Sequence, residues 1–113
     1  MRMSEATIKH RQYKRLPMAF ITYILYSRKL RRFYVGYTTD MMKRLNQHNR
    51  GEGGYTQQGI PWSLIWMTSK PTRFEAESLE KKLKHLSHDR KIRFIKKNLD
   101  GMVDAGYLDL IEQ

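Results

Sequence analysis

The stretch FYVGYTTDMMKRLNQHN, residues 33–49, passes directly from an aromatic and β-branched run into residues with helical spacing. The first half is typical of a strand. Thr39 or Asp40 can then cap a helix that runs to the end of the stretch, because a short polar side chain accepts a hydrogen bond from the first turn. Arg44 and His48 are four residues apart on that helix and therefore project from one face.

A similar run, FITYILY at 20–26, precedes this strand and predicts its antiparallel partner. If the four polar residues 28–31 close the hairpin, Tyr23 pairs with Gly36, and Tyr34 lies diagonally across from Tyr23 on the same face. An odd-length loop would put the two rings on opposite faces. Glycine opposite Tyr23 leaves space for that ring or for a molecule that approaches it.

A third strand is predicted by PWSLIWMTS, 61–69, which follows the glycine-rich connector RGEGGYTQQGIP at 50–61. Proline stands at the entrance of the strand, where its missing N–H does least harm. Trp62 and Trp66 are an even number of residues apart, so we expect both on one face of the sheet as core residues, with base stacking by one of them as the alternative.

Two helices are predicted after this strand. The first lies in KPTRFEAESLEKKLKHL, 70–86, which opens with a capping box. The box consists of Thr72 and Glu75, and the apolar stripe behind it of Ala76, Leu79, Leu83 and Leu86. The second helix carries Ile92, Ile95 and Leu99 and is expected to end at Asp100 and Gly101.

The order of elements, ββαβαα, predicts a small α+β domain with a three-stranded, mainly antiparallel sheet flanked by helices. Residues 1–17 are expected to form a basic, flexible N-terminal arm, residues 18–100 the folded domain, and residues 101–113 an acidic C-terminal tail. The tail is predicted to be either a short helix or a packed segment.

Composition excludes several classes of protein. The 113 residues contain no cysteine, which excludes a disulfide scaffold, a zinc ribbon and a thiol nucleophile. No apolar run approaches the roughly 20 residues of a membrane span, and the first sixteen residues do not resemble a signal peptide. We therefore expect a soluble protein of the cytoplasm.

The charge points to a polyanionic partner. The chain has a net charge of +11, and residues 1–97 carry 22 basic and 7 acidic residues, or +15. So much charge on a small body attracts phosphates and releases their counterions, which makes nucleic acid the leading partner. A well-solvated surface or a ribosome-associated basic protein is the competing interpretation, and charge alone does not separate DNA from RNA.

The candidate site can be assembled from the hairpin and the two long helices. An arginine fork suits phosphate oxygens, and a divalent cation requires a carboxylate. Phenols can hold a water, or deprotonate it once nearby cations lower the pKa of the phenol. Glu80 lies at the edge of the apolar stripe of its helix and can point toward the sheet, whereas Glu77 is expected to face water. Glu80 is therefore the candidate metal ligand, although it could instead form an ordinary helical ion pair with Lys84.

These residues together resemble the GIY-YIG nuclease domain. The resemblance is carried by Ile21-Thr22-Tyr23, by Tyr34-Val35-Gly36, by Arg44 with His48, and by Glu80. It covers about residues 19–98. Within the superfamily the chain looks most like the short, stand-alone bacterial branch, through YVGYTTDMMKRLNQHN, GGYTQQGIPWSLIW and FEAESLEKKLKHLSHDRKIRFI.

The resemblance implies an endonuclease that hydrolyses DNA phosphodiester bonds with one Mg²⁺ or Mn²⁺, leaving 5′-phosphate and 3′-hydroxyl ends. By analogy Glu80 holds the metal, Arg44 grips the scissile phosphate, and His48 supports the network. Either Tyr23 or Tyr34 activates the attacking water. Two departures stand out: the first motif lacks its glycine, and the family's asparagine has only a loosely matching counterpart, Asn98.

Further residues are candidates for contact with DNA outside the reacting centre, where branched, flapped or single-stranded structures are possible substrates. They are Arg31, Arg32, Lys43, Tyr55, Lys84 and Asn98. Two alternatives remain open: a basic nucleic-acid-binding protein that keeps the fold without turnover, and a catalytic module whose specificity is supplied by a protein partner.

Overall fold

A computed structural model of the chain describes residues 19–112, so the predicted arm at 1–17 lies outside the described residues. The three strands are β1 (Phe20–Ser27), β2 (Arg32–Thr38) and β3 (Trp62–Lys70). They form one sheet in the order β2-β1-β3, and both pairs are antiparallel. The predicted α+β fold with a three-stranded antiparallel sheet is confirmed.

Helices connect and follow the strands. They are α1 (Met41–Asn49), α2 (Arg73–Lys84), α3 (His88–Lys97) and α4 (Tyr107–Ile111), with 3₁₀ helices at Gly54–Gly59 and Leu99–Gly101. The side chain of Asp40 caps α1 by accepting from the N–H of Lys43, and Thr72 caps α2 by accepting from the N–H of Glu75. Within residues 19–112, no helix has the length and apolar character that crossing a membrane requires.

The hairpin has the register expected from an even loop. Tyr23 pairs with Gly36, and Leu25 pairs with Tyr34. The rings of Tyr23 and Tyr34 therefore lie on one face, with their centroids 6.4 Å apart. The turn residue Arg31 adopts a left-handed backbone conformation (φ 54°), which closes the loop in four residues.

The two tryptophans of β3 do not share a face, so that prediction was wrong. In the pairing of β1 with β3, Ile24 lies opposite Trp66, but the next residue, Leu25, lies opposite Leu64. Residue 65 of β3 is therefore skipped. The bulged residue between them reverses the alternation of side chains. Trp62 packs with Tyr23, whereas Trp66 packs with Ile24.

Both faces of the sheet are covered, and β1 is buried from Ile21 to Ser27. We call one side the α1 face; its buried apolar residues are Ile21, Tyr23, Leu25, Met41 and Trp62. We call the other side the α2 face; its buried residues are Ile24, Tyr26, Val35, Ile65, Trp66, Leu83, Ile95, Met102 and Ile111. Consecutive residues of β1 thus enter different cores, as the period of two in a strand requires.

The segment after α3 departs from the predicted helix. The helix ends at Lys97, and Leu99 is exposed in a 3₁₀ turn instead of continuing the apolar stripe. The turn brings the chain back to β3, where the N–H of Val103 donates to the carbonyl of Ile65 at 3.0 Å. Residues 102, 103 and 111, in the stretch set apart as an acidic tail, are buried against the domain.

Candidate active site

The ring of Tyr23 lies across β2 at Gly36. A Cβ atom at position 36 would lie 2.5 Å from the Tyr23 hydroxyl oxygen and 2.7 Å from its Cζ. No side chain tolerates such an approach, so glycine at this position leaves the phenol free to cross its neighbouring strand. The hydroxyl of a residue from the central strand can thereby reach the open side of the edge strand.

The imidazole of His48 connects Tyr23 to a residue in the glycine-rich connector. Its Nε2 lies 3.0 Å from the Tyr23 hydroxyl, and its Nδ1 lies 2.8 Å from Oγ1 of Thr56. His48 is 2% exposed and Thr56 is fully buried. The ring of Tyr34 packs edge-on against His48 with centroids 4.9 Å apart. Two phenols, an imidazole and a hydroxyl thus share one desolvated cluster.

Burial governs the protonation of this cluster. Desolvation lowers the pKa of His48, and the positive charge of Arg44 lowers it further. Desolvation also raises the pKa of Tyr23 well above its usual range. The neighbouring Tyr34 and the carboxylate of Glu80 raise this pKa further, whereas the positive charge of Arg44 lowers it. At neutral pH both the imidazole and the Tyr23 phenol are therefore uncharged.

The connector that holds Thr56 is more ordered than a plain loop. It contains the 3₁₀ helix Gly54–Gly59, and the indole N–H of Trp62 donates to the carbonyl of Thr56 at 2.6 Å. Sequence analysis did not single out Thr56. Nothing in a polar run such as YTQQG marks one hydroxyl as buried, because its environment is formed by the distant residue His48.

A pocket of about 390 Å³ opens beside the two phenols. Its walls are formed by Phe20, Tyr23, Tyr34, Gly36, Tyr37, Thr38, Thr39, Arg44, Arg73 and Glu80. Arg44 comes from α1 and Glu80 from α2, although these helices cover opposite faces of the sheet. They can line one pocket because β2 is an edge strand with no side chain at Gly36.

Glu80 is the pocket residue that could hold a metal ion. Its side chain is 14% exposed, and one carboxylate oxygen lies 3.4 Å from Nζ of Lys84. Residues 19–112 contain no group of three or more histidine, cysteine or acidic residues arranged for a metal. A single carboxylate suits Mg²⁺, which commonly keeps several waters and completes its shell with phosphate oxygens of the substrate. The donor set therefore fits a hard cation that binds together with a phosphate.

Two pocket residues beside Glu80 were not anticipated. Arg73 precedes Glu80 by seven residues, a spacing that puts both on one stripe of α2, and its guanidinium lies 5.5 Å from the ring centre of Phe20. The hydroxyl of Tyr37 donates to Glu77 at 3.2 Å, so the prediction that Glu77 simply faces water was wrong. The spacing of Arg73 is a signal that sequence analysis could have used.

The residues predicted to contact nucleic acid elsewhere are not among those that line the pocket. Arg31 and Arg32 lie at the hairpin turn, roughly 13 Å along β2 from Gly36. The other four residues of this prediction lie on different parts of the fold, and Asn98 is described separately below. Lys43 is exposed on α1 next to Arg44, Tyr55 is exposed on the connector, and Lys84 contacts Glu80.

Asn98 has a structural role at the end of α3. Its side-chain amide donates to the carbonyl of Phe94 at 2.8 Å, and its own carbonyl accepts from the indole N–H of Trp66 at 2.8 Å. Trp66 belongs to the core of the α2 face. Asn98 is therefore engaged in closing α3 against β3 and does not line the pocket.

The family model described as the GIY-YIG catalytic domain matches residues 19–93, about two thirds of the chain. The chain belongs to the GIY-YIG family. GIY-YIG domains are nuclease domains, and the matched segment contains Tyr23, Tyr34, Arg44 and Glu80, which line the pocket, and His48, which lies behind Tyr23.

The similar GIY-YIG proteins are short bacterial chains. A UPF0213 protein of Streptococcus pneumoniae is 41% identical over 69 residues, which are 60% of this chain and 70% of the relative. A UPF0213 protein of Lactococcus lactis subsp. cremoris is 41% identical over 68 residues, 58% of this chain and 69% of the relative. The NMR structure of UPF0213 protein BH0048 from Bacillus halodurans is 34% identical in sequence and superimposes with a TM-score of 0.50. The match covers 80% of this chain and 92% of the chain in that structure.

Proposed function

We propose that this protein is an endonuclease that hydrolyses DNA phosphodiester bonds with the help of one Mg²⁺ or Mn²⁺ ion. The observation that carries the proposal is the convergence of Arg44 and Glu80, from helices on opposite faces of the sheet, beside the phenols of Tyr23 and Tyr34. Membership of a nuclease family supports the same reaction class.

The pocket offers a separate group for each requirement of phosphodiester hydrolysis. The guanidinium of Arg44 can bind non-bridging phosphate oxygens in pairs, and it stabilises the charge that develops on them. Arg73, which also lines the pocket, can neutralise an adjacent phosphate. One of the two tyrosines, after losing its own proton to solvent, orients the attacking water and accepts its proton as a phenolate, while the other binds the phosphate or the water.

Glu80 is the residue we assign to the metal. A divalent cation bound there would supply Lewis-acid stabilisation of the phosphoryl oxygen and of the leaving group. The water-poor cluster around His48 strengthens these electrostatic interactions, because charges are less screened where water is excluded. The products of this chemistry would be 5′-phosphate and 3′-hydroxyl ends.

The net charge of +11 favours DNA or another polyanion as substrate. Exposed basic residues such as Lys43 and Lys84 lie close to residues of the pocket and can extend the contact along the backbone. So small a domain has little surface for reading bases, and therefore recognition by structure, or by a protein partner that supplies specificity, is the expected mode.

One observation favours a second candidate, a protein that binds nucleic acid without cleaving it. The carboxylate of Glu80 forms an ion pair with Lys84, four residues later on α2. Such a pair is an ordinary helical interaction that requires no metal. If that pair persists when nucleic acid is bound, the positive charge of Lys84 opposes a divalent cation at Glu80, which favours binding without cleavage.

A cleavage assay separates the two functions. Labelled single-stranded, duplex, flap and four-way DNA would be incubated with Mg²⁺, Mn²⁺ or EDTA and with wild type, Glu80→Gln or Glu75→Gln. Both substitutions remove a negative charge from α2, but the Glu75 side chain is exposed and accepts from its own cap residue, Thr72. We expect metal-dependent cleavage that Glu80→Gln slows about 10²- to 10³-fold and Glu75→Gln does not.

The same assay identifies the alternatives. Binding that weakens with salt, without cleavage under any condition, would support the non-catalytic protein. Cleavage that appears only after a cell fraction is added would favour a module that works with a partner. Equal activity of wild type and Glu80→Gln would contradict the role assigned to Glu80.

A further inference from the structure

The buried hydroxyl of Thr56 has one side-chain hydrogen-bond partner among the described residues. Thr56 is fully buried, and among residues 19–112 the hydrogen-bond partner of its hydroxyl is Nδ1 of His48, at 2.8 Å. A hydroxyl always carries a proton, and buried donors are rarely left unused. The geometry therefore favours one direction for this bond: the Thr56 hydroxyl donates, and Nδ1 accepts.

The direction of that bond determines the other side of the imidazole ring. A neutral histidine has one protonated nitrogen and one bare nitrogen. If Nδ1 accepts from Thr56, the proton lies on Nε2, which is 3.0 Å from the Tyr23 hydroxyl. His48 is then the donor to Tyr23, and the phenol's own proton is directed away from the ring.

We propose that Thr56 is a positioning residue that holds His48 in the tautomer protonated on Nε2, so that Tyr23 accepts from His48 and donates into the pocket. Gly53 provides the space that this arrangement of Thr56 and His48 requires. A Cβ atom at Gly53 would lie 2.2 Å from Oγ1 of Thr56 and 2.7 Å from Nδ1 of His48. Gly53 has φ of −90°, so glycine stands there for space and not for an unusual backbone conformation.

The consequence for the reaction rests on the proposed nuclease function. In this tautomer His48 has no free lone pair for the Tyr23 proton, so Tyr23 acts as a neutral donor that holds a phosphate oxygen or the attacking water. Tyr34, whose ring packs against His48 and also lines the pocket, is left as the tyrosine that first releases its own proton to solvent and then, as a phenolate, accepts the proton of the water. The buried threonine thereby distinguishes the two tyrosines.

The test is the protonation state of the His48 ring, read by ¹⁵N NMR of the full chain with labelled histidine at pH 7.5. The chain has four histidines, and the His48 signals are assigned by their loss in His48→Gln. Wild type is expected to show a protonated Nε2 and a bare Nδ1. A protonated Nδ1, or protons on both nitrogens, would overturn the proposal without any variant.

Two substitutions at Thr56 separate the hydroxyl from the packing. Thr56→Val keeps the shape and removes the donor, so the Nδ1-protonated tautomer should become populated; Thr56→Ser keeps the donor and should retain the wild-type pattern. Thr22→Val is the matched control, because Thr22 is also fully buried and its hydroxyl donates to the carbonyl of Ala76 at 2.9 Å, away from His48. An unchanged tautomer in Thr56→Val would contradict the proposal.

Cleavage kinetics provide a second reading of the same variants. Thr56→Val is expected to lower kcat about 10- to 100-fold, by analogy with the loss of a partner that orients a metal-ligating histidine, with recovery in Thr56→Ser. Wild-type rates in Thr56→Val, with a shifted tautomer, would show that the tautomer does not matter to the reaction. If no substrate is cleaved by any form, the nuclease function fails while the NMR result still decides the tautomer.

Discussion

Both faces of the sheet are buried, but the α1 face adds a hydrogen-bonded polar cluster to its apolar core. On the α2 face, Ile24 and Leu83 are fully buried in a core of aliphatic and aromatic side chains. On the α1 face, Tyr23 and His48 are almost as deeply buried, but each makes hydrogen bonds that continue to Thr56. Neighbouring residues of one strand, Tyr23 and Ile24, thus contribute to the polar cluster on one side and to the apolar core on the other.

This difference means that equal burial does not imply equal roles. An aliphatic core tolerates no loss of volume, whereas a polar cluster depends on the direction and completeness of its hydrogen bonds. Substitutions on the α2 face should change the free energy of unfolding with little effect on the rate of cleavage by the folded protein. Substitutions that break the hydrogen bonds of the polar cluster on the α1 face, Tyr23 with His48 and Thr56, should slow cleavage in addition to any effect on stability.

The largest effect on stability is expected from Leu83→Ala. Leu83 is fully buried on the α2 face, and leucine-to-alanine changes in such positions typically lower the free energy of unfolding by about 2–5 kcal/mol. Urea unfolding measures the loss, with Leu99→Ala as control, because Leu99 is 51% exposed and should change stability by less than about 0.5 kcal/mol. Similar losses in the two variants would contradict the assignment of the core.

Gly36→Ala should damage the α1 face. The new methyl group would overlap the Tyr23 hydroxyl, which must move away from His48. We expect cleavage to slow by at least about tenfold and stability to fall by about 1–3 kcal/mol, as for an overpacked core. In the control, Gly106→Ala, the nearest atom to the added Cβ is a side-chain oxygen of Asp104 at 3.2 Å, so both properties should stay near wild type. Normal activity of Gly36→Ala would mean that the position of Tyr23 is not critical.

The smallest effect is the pH dependence that His48 imposes on stability. Its pKa in the folded protein is lower than the unfolded value of about 6.5, so below that pH the unfolded chain binds a proton that the folded protein does not. The stabilisation is complete above the unfolded pKa and is lost as pH falls through the folded one. Urea midpoints at pH 7.5 and 5 should therefore differ more for wild type than for His48→Gln, and equal differences would count against a buried, neutral imidazole.

The parts of the site that depend on local sequence could be predicted. The even hairpin loop determined that Tyr23 pairs with Gly36, and the four-residue spacing on α1 brought Arg44 and His48 to one side. The placement of Glu80 followed from its position beside an apolar stripe. Each of these relations spans a single turn, strand pair or helix, where geometry is nearly independent of the rest of the chain.

The errors arose where distant segments meet. The bulge opposite Ile24 and Leu25 moved Trp66 to the other face, and no local signal in β3 marks the extra residue. Thr56 gained its importance only by packing on His48. Leu99 left the predicted helix because Asn98 turns the chain back toward Trp66. Long-range packing decides each of these features, and the periodicity of the sequence alone does not predict which distant residues will pack together.

The central claim is that residues from both faces of the sheet act together in one site. A double-mutant cycle on cleavage kinetics tests it most directly, with wild type, Arg44→Ala, Glu80→Gln and the double variant. Residues that work as a unit are strongly non-additive, so the double variant should be hardly slower than the slower single variant. Losses that simply multiply would mean that Arg44 and Glu80 act independently, and would contradict a shared phosphodiester site.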